Sequence, residues 1–75
     1  FLALNNLIMA KIQLNGKMID IKSNYSLFDL LKKYKLADKK VAVEHNGTII
    51  PKENFKKKNL KENDKVEIVH FIGGG

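Results

Sequence analysis

The chain contains no cysteine and no arginine, and a single proline, among 75 residues. Without cysteine there are no disulfides, no thiolate metal sites and no cysteine nucleophiles, so folding must rest on packing and hydrogen bonds. Without arginine the chain lacks the side chain best suited to bidentate reading of bases. Long apolar runs are missing too. The most apolar segment, Phe1 to Ala10, is interrupted by Asn5 and Asn6 and falls far short of the roughly 20 residues a membrane span needs. It also lacks the basic leading region of a signal peptide, so a cytoplasmic protein with no membrane contact is expected. His45 and His70 stand apart from any acidic residue at ligand spacing, which argues against a metal site and leaves both histidines as strand-end surface residues. There is no glycine-rich phosphate loop and no carboxylate set with metal spacing.

What is present is charge of one sign. Fourteen lysines face eight acidic residues, for a net charge of +6. A chain this short hides only about 60% of the surface its unfolded form exposes, enough for one thin core and not for an enclosed catalytic cavity. A carrier or binding module fits better than an autonomous enzyme. The texture changes at Met9: residues 1–8 show neither alternation nor capping, whereas the chain is patterned from Ala10 onward. Residues 1–8 are therefore expected to be a non-native leader, and residues 9–75 a single domain with a flexible tail over 72–75.

Ile12 and Leu14 alternate with polar neighbours, Asn15-Gly16 supplies a tight turn, and Met18 to Ile21 resumes the pattern. Both turn residues tolerate positive φ, as a hairpin matching the twist of its strands requires. From Ser26 to Tyr34 the period lengthens, gathering Leu27, Leu30, Leu31 and Tyr34 on one face. Ser26 can cap this helix, Asp29 lies near its positive end, and Lys32, Lys33 and Lys35 lie near its carbonyl end. Tyr25 and Tyr34 read as packing groups beside it. Val41 to Glu44 forms a buried strand in which small Ala42 would let helix and sheet approach. His45, Asn46 and Gly47 turn it, Thr48 to Ile50 returns and Pro51 ends the return. Phe55 and Leu60 anchor a loop over the open end of the core. Asn63-Asp64 makes the last turn before Val66, Ile68, Val69 and Phe71. One helix must cover one apolar sheet face, so the expected class is α+β, a mixed four- to five-stranded sheet on one main helix. The first and last strands are candidates for its centre, in a direction the periodicity leaves open.

The final strand passes through Ile72 straight into Gly73-Gly74-Gly75. Extended, three glycines reach roughly 10 Å, thin enough for a narrow channel and free of side chains that would clash there. The functional reading is a presented acyl group. A carboxylate is a poor electrophile at neutral pH, so a partner would have to activate it, and adenylation is one route.

Met9-Ala10-Lys11-Ile12-Gln13-Leu14-Asn15-Gly16, Val41-Ala42-Val43-Glu44-His45-Asn46-Gly47, Ile50-Pro51 and Phe71-Ile72-Gly73-Gly74-Gly75 together resemble the ThiS family of thiamine sulfur carriers. The resemblance covers Met9 to Gly75. It implies a β-grasp, ubiquitin-like fold and a carrier, not an enzyme, with no bound cofactor and no catalytic residue. It also implies that Gly75 is the modified terminus: a ThiF-like adenylating enzyme would activate it with ATP, and a persulfide donor would supply sulfur, directly or indirectly. The resulting thiocarboxylate would pass its sulfur to a ThiG-like thiazole synthase. Gly74 and Gly75 match the family's terminal pair, and Gly73 extends it.

A partner surface is expected near the tail, with Ile50, Phe55, Val69, Phe71 and Ile72 as apolar candidates and Lys56, Lys57 and Lys58 as charged ones, on a domain that is monomeric when free. Three alternatives stay open. A related molybdopterin-type carrier also ends in Gly-Gly, but usually has prolines before the tail, absent here. The cluster Lys52, Lys56, Lys57, Lys58 and Lys61 allows a small nucleic-acid-binding module, against which stand the missing arginine and the lack of paired surface aromatics. The third is a protein-binding module with the same shape and no activated terminus.

Overall fold

A computed structural model describes residues 9–71. Strands β1 (Met9–Leu14) and β2 (Lys17–Lys22) form an antiparallel hairpin, helix α1 (Leu27–Lys33) follows, then β3 (Val41–His45), the short β4 (Thr48–Ile49), a 3-10 turn over Lys52–Asn54, and β5 (Lys65–His70). The five strands make one mixed sheet in the order β2-β1-β5-β3-β4. β1 and β5 lie side by side at its centre and run parallel, while β3 and β5 are antiparallel. This is the β-grasp arrangement. The expectations about residues 1–8 and 72–75 fall outside the described residues.

Two Asn-Gly turns set the hairpins. Asn15 and Gly16 have φ of 48° and 86°, and Asn46 and Gly47 have 51° and 88°, the paired positive values that suit a two-residue turn to the right-handed twist of its strands. α1 begins where expected, with a reciprocal cap. Ser26 Oγ accepts from the Asp29 N–H and the Asp29 carboxylate accepts from the Ser26 N–H, both at 3.0 Å, so two otherwise unpaired groups satisfy each other. The 55–60 loop completes this end: Leu27 N–H donates to the Lys58 carbonyl and Phe28 N–H to the Phe55 carbonyl. Orphan amides of the first helical turn thus find partners in a segment distant in sequence.

The inner face of the sheet and α1 enclose Ile12, Leu27, Leu30, Leu31, Val43 and Val66, all essentially without solvent contact. Each such side chain contributes on the order of 1.5–3 kcal/mol by leaving water. Phe55 and Leu60 close the end of this core, as loop anchors should. Two helix-side expectations are corrected. Tyr34 is the C-cap residue and is exposed, because the helix ends there and leaves its ring at the edge of an open depression shared with Leu14, Ile19 and Ile68. Ala42 pairs with Val69 across β3 and β5, in the opposite phase to buried Val43. It therefore belongs to the outer face, and its small size does not serve helix packing.

Candidate functional site

β5 places its two ends in different surroundings. At its start, Asp64 is buried and its carboxylate collects three partners: His45 Nε2 at 2.7 Å, Asn46 Nδ2 at 3.0 Å and the Lys61 backbone N–H at 2.8 Å. Burial pushes the Asp64 carboxyl up, but the hydrogen bonds from Asn46, His45 and Lys61, with the nearby imidazole, outweigh it and hold the group below its ordinary value. Asn46 Oδ1 also accepts from the Lys65 N–H at 2.8 Å. The reading of His45 as a surface residue is corrected: it is 9% exposed, because it keeps the inward phase of Val41 and Val43 along β3. That alternation was the signal available in the sequence. What it could not reveal was the carboxylate waiting nineteen residues away.

Further along β5, Asn15 performs a strand's work with its side chain. Its Oδ1 accepts from the Ile68 N–H at 2.8 Å and its Nδ2 donates to the Ile68 carbonyl at 3.3 Å. The turn asparagine thereby extends β1 by one pairing step beyond Leu14. After Ile68 the strand is held mainly from the β3 side, ending with Phe71 N–H to the Lys40 carbonyl at 3.0 Å. This end leads directly to residues 72–75.

The predicted site residues divide accordingly. Val69 is 55% exposed and lies on the outer face beside Ala42, with Glu44 pairing both Glu67 and Ile49 on the next step. Phe71 is 57% exposed. The alternation that turns Val69 outward ends with β5, however, and Phe71 lies in a groove wall shared with Leu31, Val41 and Phe55. Ile50 and Phe55 leave the docking set. Both are core residues, at 9% and 5% exposure: Ile50 is held against β3 by its N–H bond to the Val43 carbonyl, and Phe55 is turned inward by the segment that closes the core after Pro51. Lys56, Lys57 and Lys58 are exposed, yet Lys56 stands on the helix side with its Nζ 4.7 Å from the Phe28 ring centroid. The structure thus puts Lys56 and Val69 on different surfaces. His70 is exposed near the end of β5. Ile72, Gly73, Gly74 and Gly75 lie outside the described residues. Among the described residues, no three histidine or carboxylate side chains converge as metal ligands, and no helix is long and apolar enough to cross a membrane.

A five-stranded β-grasp domain whose central strand leads to a triple-glycine end is matched by one family model, the ThiS family, over residues 12–75. The chain belongs to the ThiS family. It is 46% identical over 65 residues to the sulfur carrier protein ThiS of Bacillus subtilis, covering 85% of this chain and 98% of that one. The crystal structure of the thiamine biosynthesis protein ThiS from Geobacter metallireducens superposes with a TM-score of 0.73 at 32% identity, covering 87% of this chain and 99% of that one. A thiazole synthase of Magnetococcus marinus is 40% identical over 65 residues, which span 87% of this chain but only 20% of the synthase.

Proposed function

We propose that this ThiS-family chain works by presenting the α-carboxylate of Gly75 as the sulfur-bearing group. The chain is a sulfur carrier of thiamine biosynthesis, and the observation that carries the finer reading is that the family match runs through the glycines to residue 75 itself. In the activation step a carboxylate oxygen of Gly75 attacks the α-phosphate of ATP held by a ThiF-like enzyme, and pyrophosphate leaves. The terminal sulfur of a persulfide then attacks the acyl carbon and AMP departs. Cleavage of the remaining sulfur–sulfur bond by a thiol reductant leaves the thiocarboxylate. The carrier contributes no catalytic group and holds no cofactor; it is the substrate.

The same reading assigns delivery to a thiazole synthase of the ThiG type. In support, proteins named thiazole synthase contain, as a fifth of their length, a segment similar to this chain, and one polypeptide joining the two suits a direct handover. A monomeric domain docks through outward-facing Val69 with Ile72, and the glycine tail reaches past them into the active site. Side-chain-free residues suit that passage, at an ordering cost of roughly 1–2 kcal/mol per residue.

Intact-mass spectrometry tests the central step. Incubation with activating enzyme, ATP and sulfur donor should add about 16 Da, one oxygen replaced by sulfur. An unchanged mass, under conditions that convert a control carrier, would overturn the assignment.

A further inference from the structure

On the helix side, three shallow depressions share walls and run together. Phe28, Ala37, Lys52, Phe55 and Lys56 line the first, Ala37 and Lys39 carry it toward Lys32 and Lys35, and Lys39, Lys52 and Phe55 carry it to Phe71. The floor is apolar and the rim is basic. Six lysines line the trough, at positions 32, 35, 39, 40, 52 and 56, against two acidic residues, Asp38 and Glu53. Among the described residues the ion pairs made by lysine are Lys11–Asp20 and Lys32–Asp29, the latter at 3.9 Å. Among the described residues the ammonium groups of Lys39, Lys40, Lys52 and Lys56 therefore have no carboxylate within ion-pair distance. Lys32 and Lys56 both bring their Nζ near one ring, at 5.3 and 4.7 Å from the Phe28 centroid. Each is attracted by the ring, so Phe28 holds two ammonium groups at the rim of the trough.

We propose that this trough binds an acidic segment of a partner protein, one that seats an apolar side chain over half-buried Phe28 and Ala37 toward exposed Phe71, between flanking carboxylates. Charge complementarity selects the acidic partner and the apolar floor selects a peptide. A nucleic-acid backbone supplies negative charge but presents no aliphatic group to fill the floor. The trough ends at Phe71, so a segment lying in it is held beside the root of the C-terminus, on a different surface from outward-facing Val69. This goes beyond the sulfur-carrier reading and does not depend on chemistry at Gly75.

The test is a titration of the isotope-labelled full chain with a short synthetic peptide of aspartate and glutamate around leucine and phenylalanine, followed by amide chemical shifts. Shifts should concentrate at Phe28, Ala37, Lys39, Lys52, Phe55 and Phe71 and spare Glu44 and Val69. Joint Lys39→Glu and Lys52→Glu substitution should weaken binding about tenfold, and added salt should weaken it further. Lys17→Glu with Lys22→Glu should leave it within about twofold, since charge distant from the contact acts weakly through salt. Should the first pair disturb the fold, seen as lost amide dispersion, Lys39→Ala with Lys52→Ala carries the comparison. Equal affinity for a peptide with lysine in place of its acids, shifts centred on the outer face, or tighter binding of a short DNA duplex would each overturn the proposal. The Gly75 experiment is read by mass on the same chain, so either reading can fail without the other.

Discussion

The two ends of β5 differ in what surrounds them: a buried polar network at one and exposed apolar side chains at the other. At the start, buried Asp64 ties β3, the Asn46-Gly47 turn and the 61–64 turn into one network. At the far end, Asn15 supports Ile68 from one side, and beyond it exposed Val69 and Phe71 lead to the glycines. The proposed function makes use of this difference: the well-tied part of the domain would serve as the address for a reactive group proposed at Gly75. The apolar residues exposed at this end, Val69 and Phe71, are poor choices for a free surface and suit the two docking surfaces proposed above.

The comparison breaks most completely at the glycine end. Deleting Gly75 should abolish thiocarboxylate formation by intact mass while thermal unfolding is unchanged; retained conversion would place the reactive group elsewhere. At the held end, Asp64→Ala should cost about 2–4 kcal/mol in chemical denaturation, because buried His45 loses its partner and Asn46 and the Lys61 N–H lose theirs. A loss below about 0.5 kcal/mol, the scale of an ordinary surface substitution, would show that the network is ornamental. The same carboxylate sets a pH dependence. Its native pKa lies below its unfolded one, so its stabilisation is complete above the ordinary carboxylate range and is lost as pH falls through the lowered native value. Asp64→Asn should flatten that part of the acid denaturation profile.

Smaller effects mark the middle and the outer face. Asn15→Ala should cost roughly 1–2 kcal/mol, combining the lost bonds to Ile68 with a positive φ that alanine tolerates poorly. Val69→Asp should change stability by less than about 0.5 kcal/mol and yet slow sulfur transfer at limiting partner concentration. If stability falls and transfer does not, Val69 belongs to the fold and not to the docking face.

Much of the architecture is written in local pattern. Asn-Gly dipeptides admit the paired positive φ of tight hairpins, the Ser26–Asp29 spacing dictates a reciprocal cap, and the leucines at 27, 30 and 31 set the buried face of α1. These features depend on residues within a few positions of one another, where backbone sterics and side-chain periodicity act directly. The triple glycine and the order of the family-like segments are legible in the same way, and they carry the functional reading.

Tertiary contact decided the rest. Nothing local distinguishes an apolar residue that docks a partner from one that seals a core, and the fold turned Ile50 and Phe55 inward while leaving Val69 on the surface. Asp64 reads as an ordinary turn residue until β3 brings His45 and Asn46 to it. The parallel pairing of β1 with β5 and the meeting of Lys32 and Lys56 at Phe28 likewise join residues far apart in the chain. Their placement depends on which surfaces the collapsed domain brings together, a property of the whole packing that periodicity along the chain does not encode.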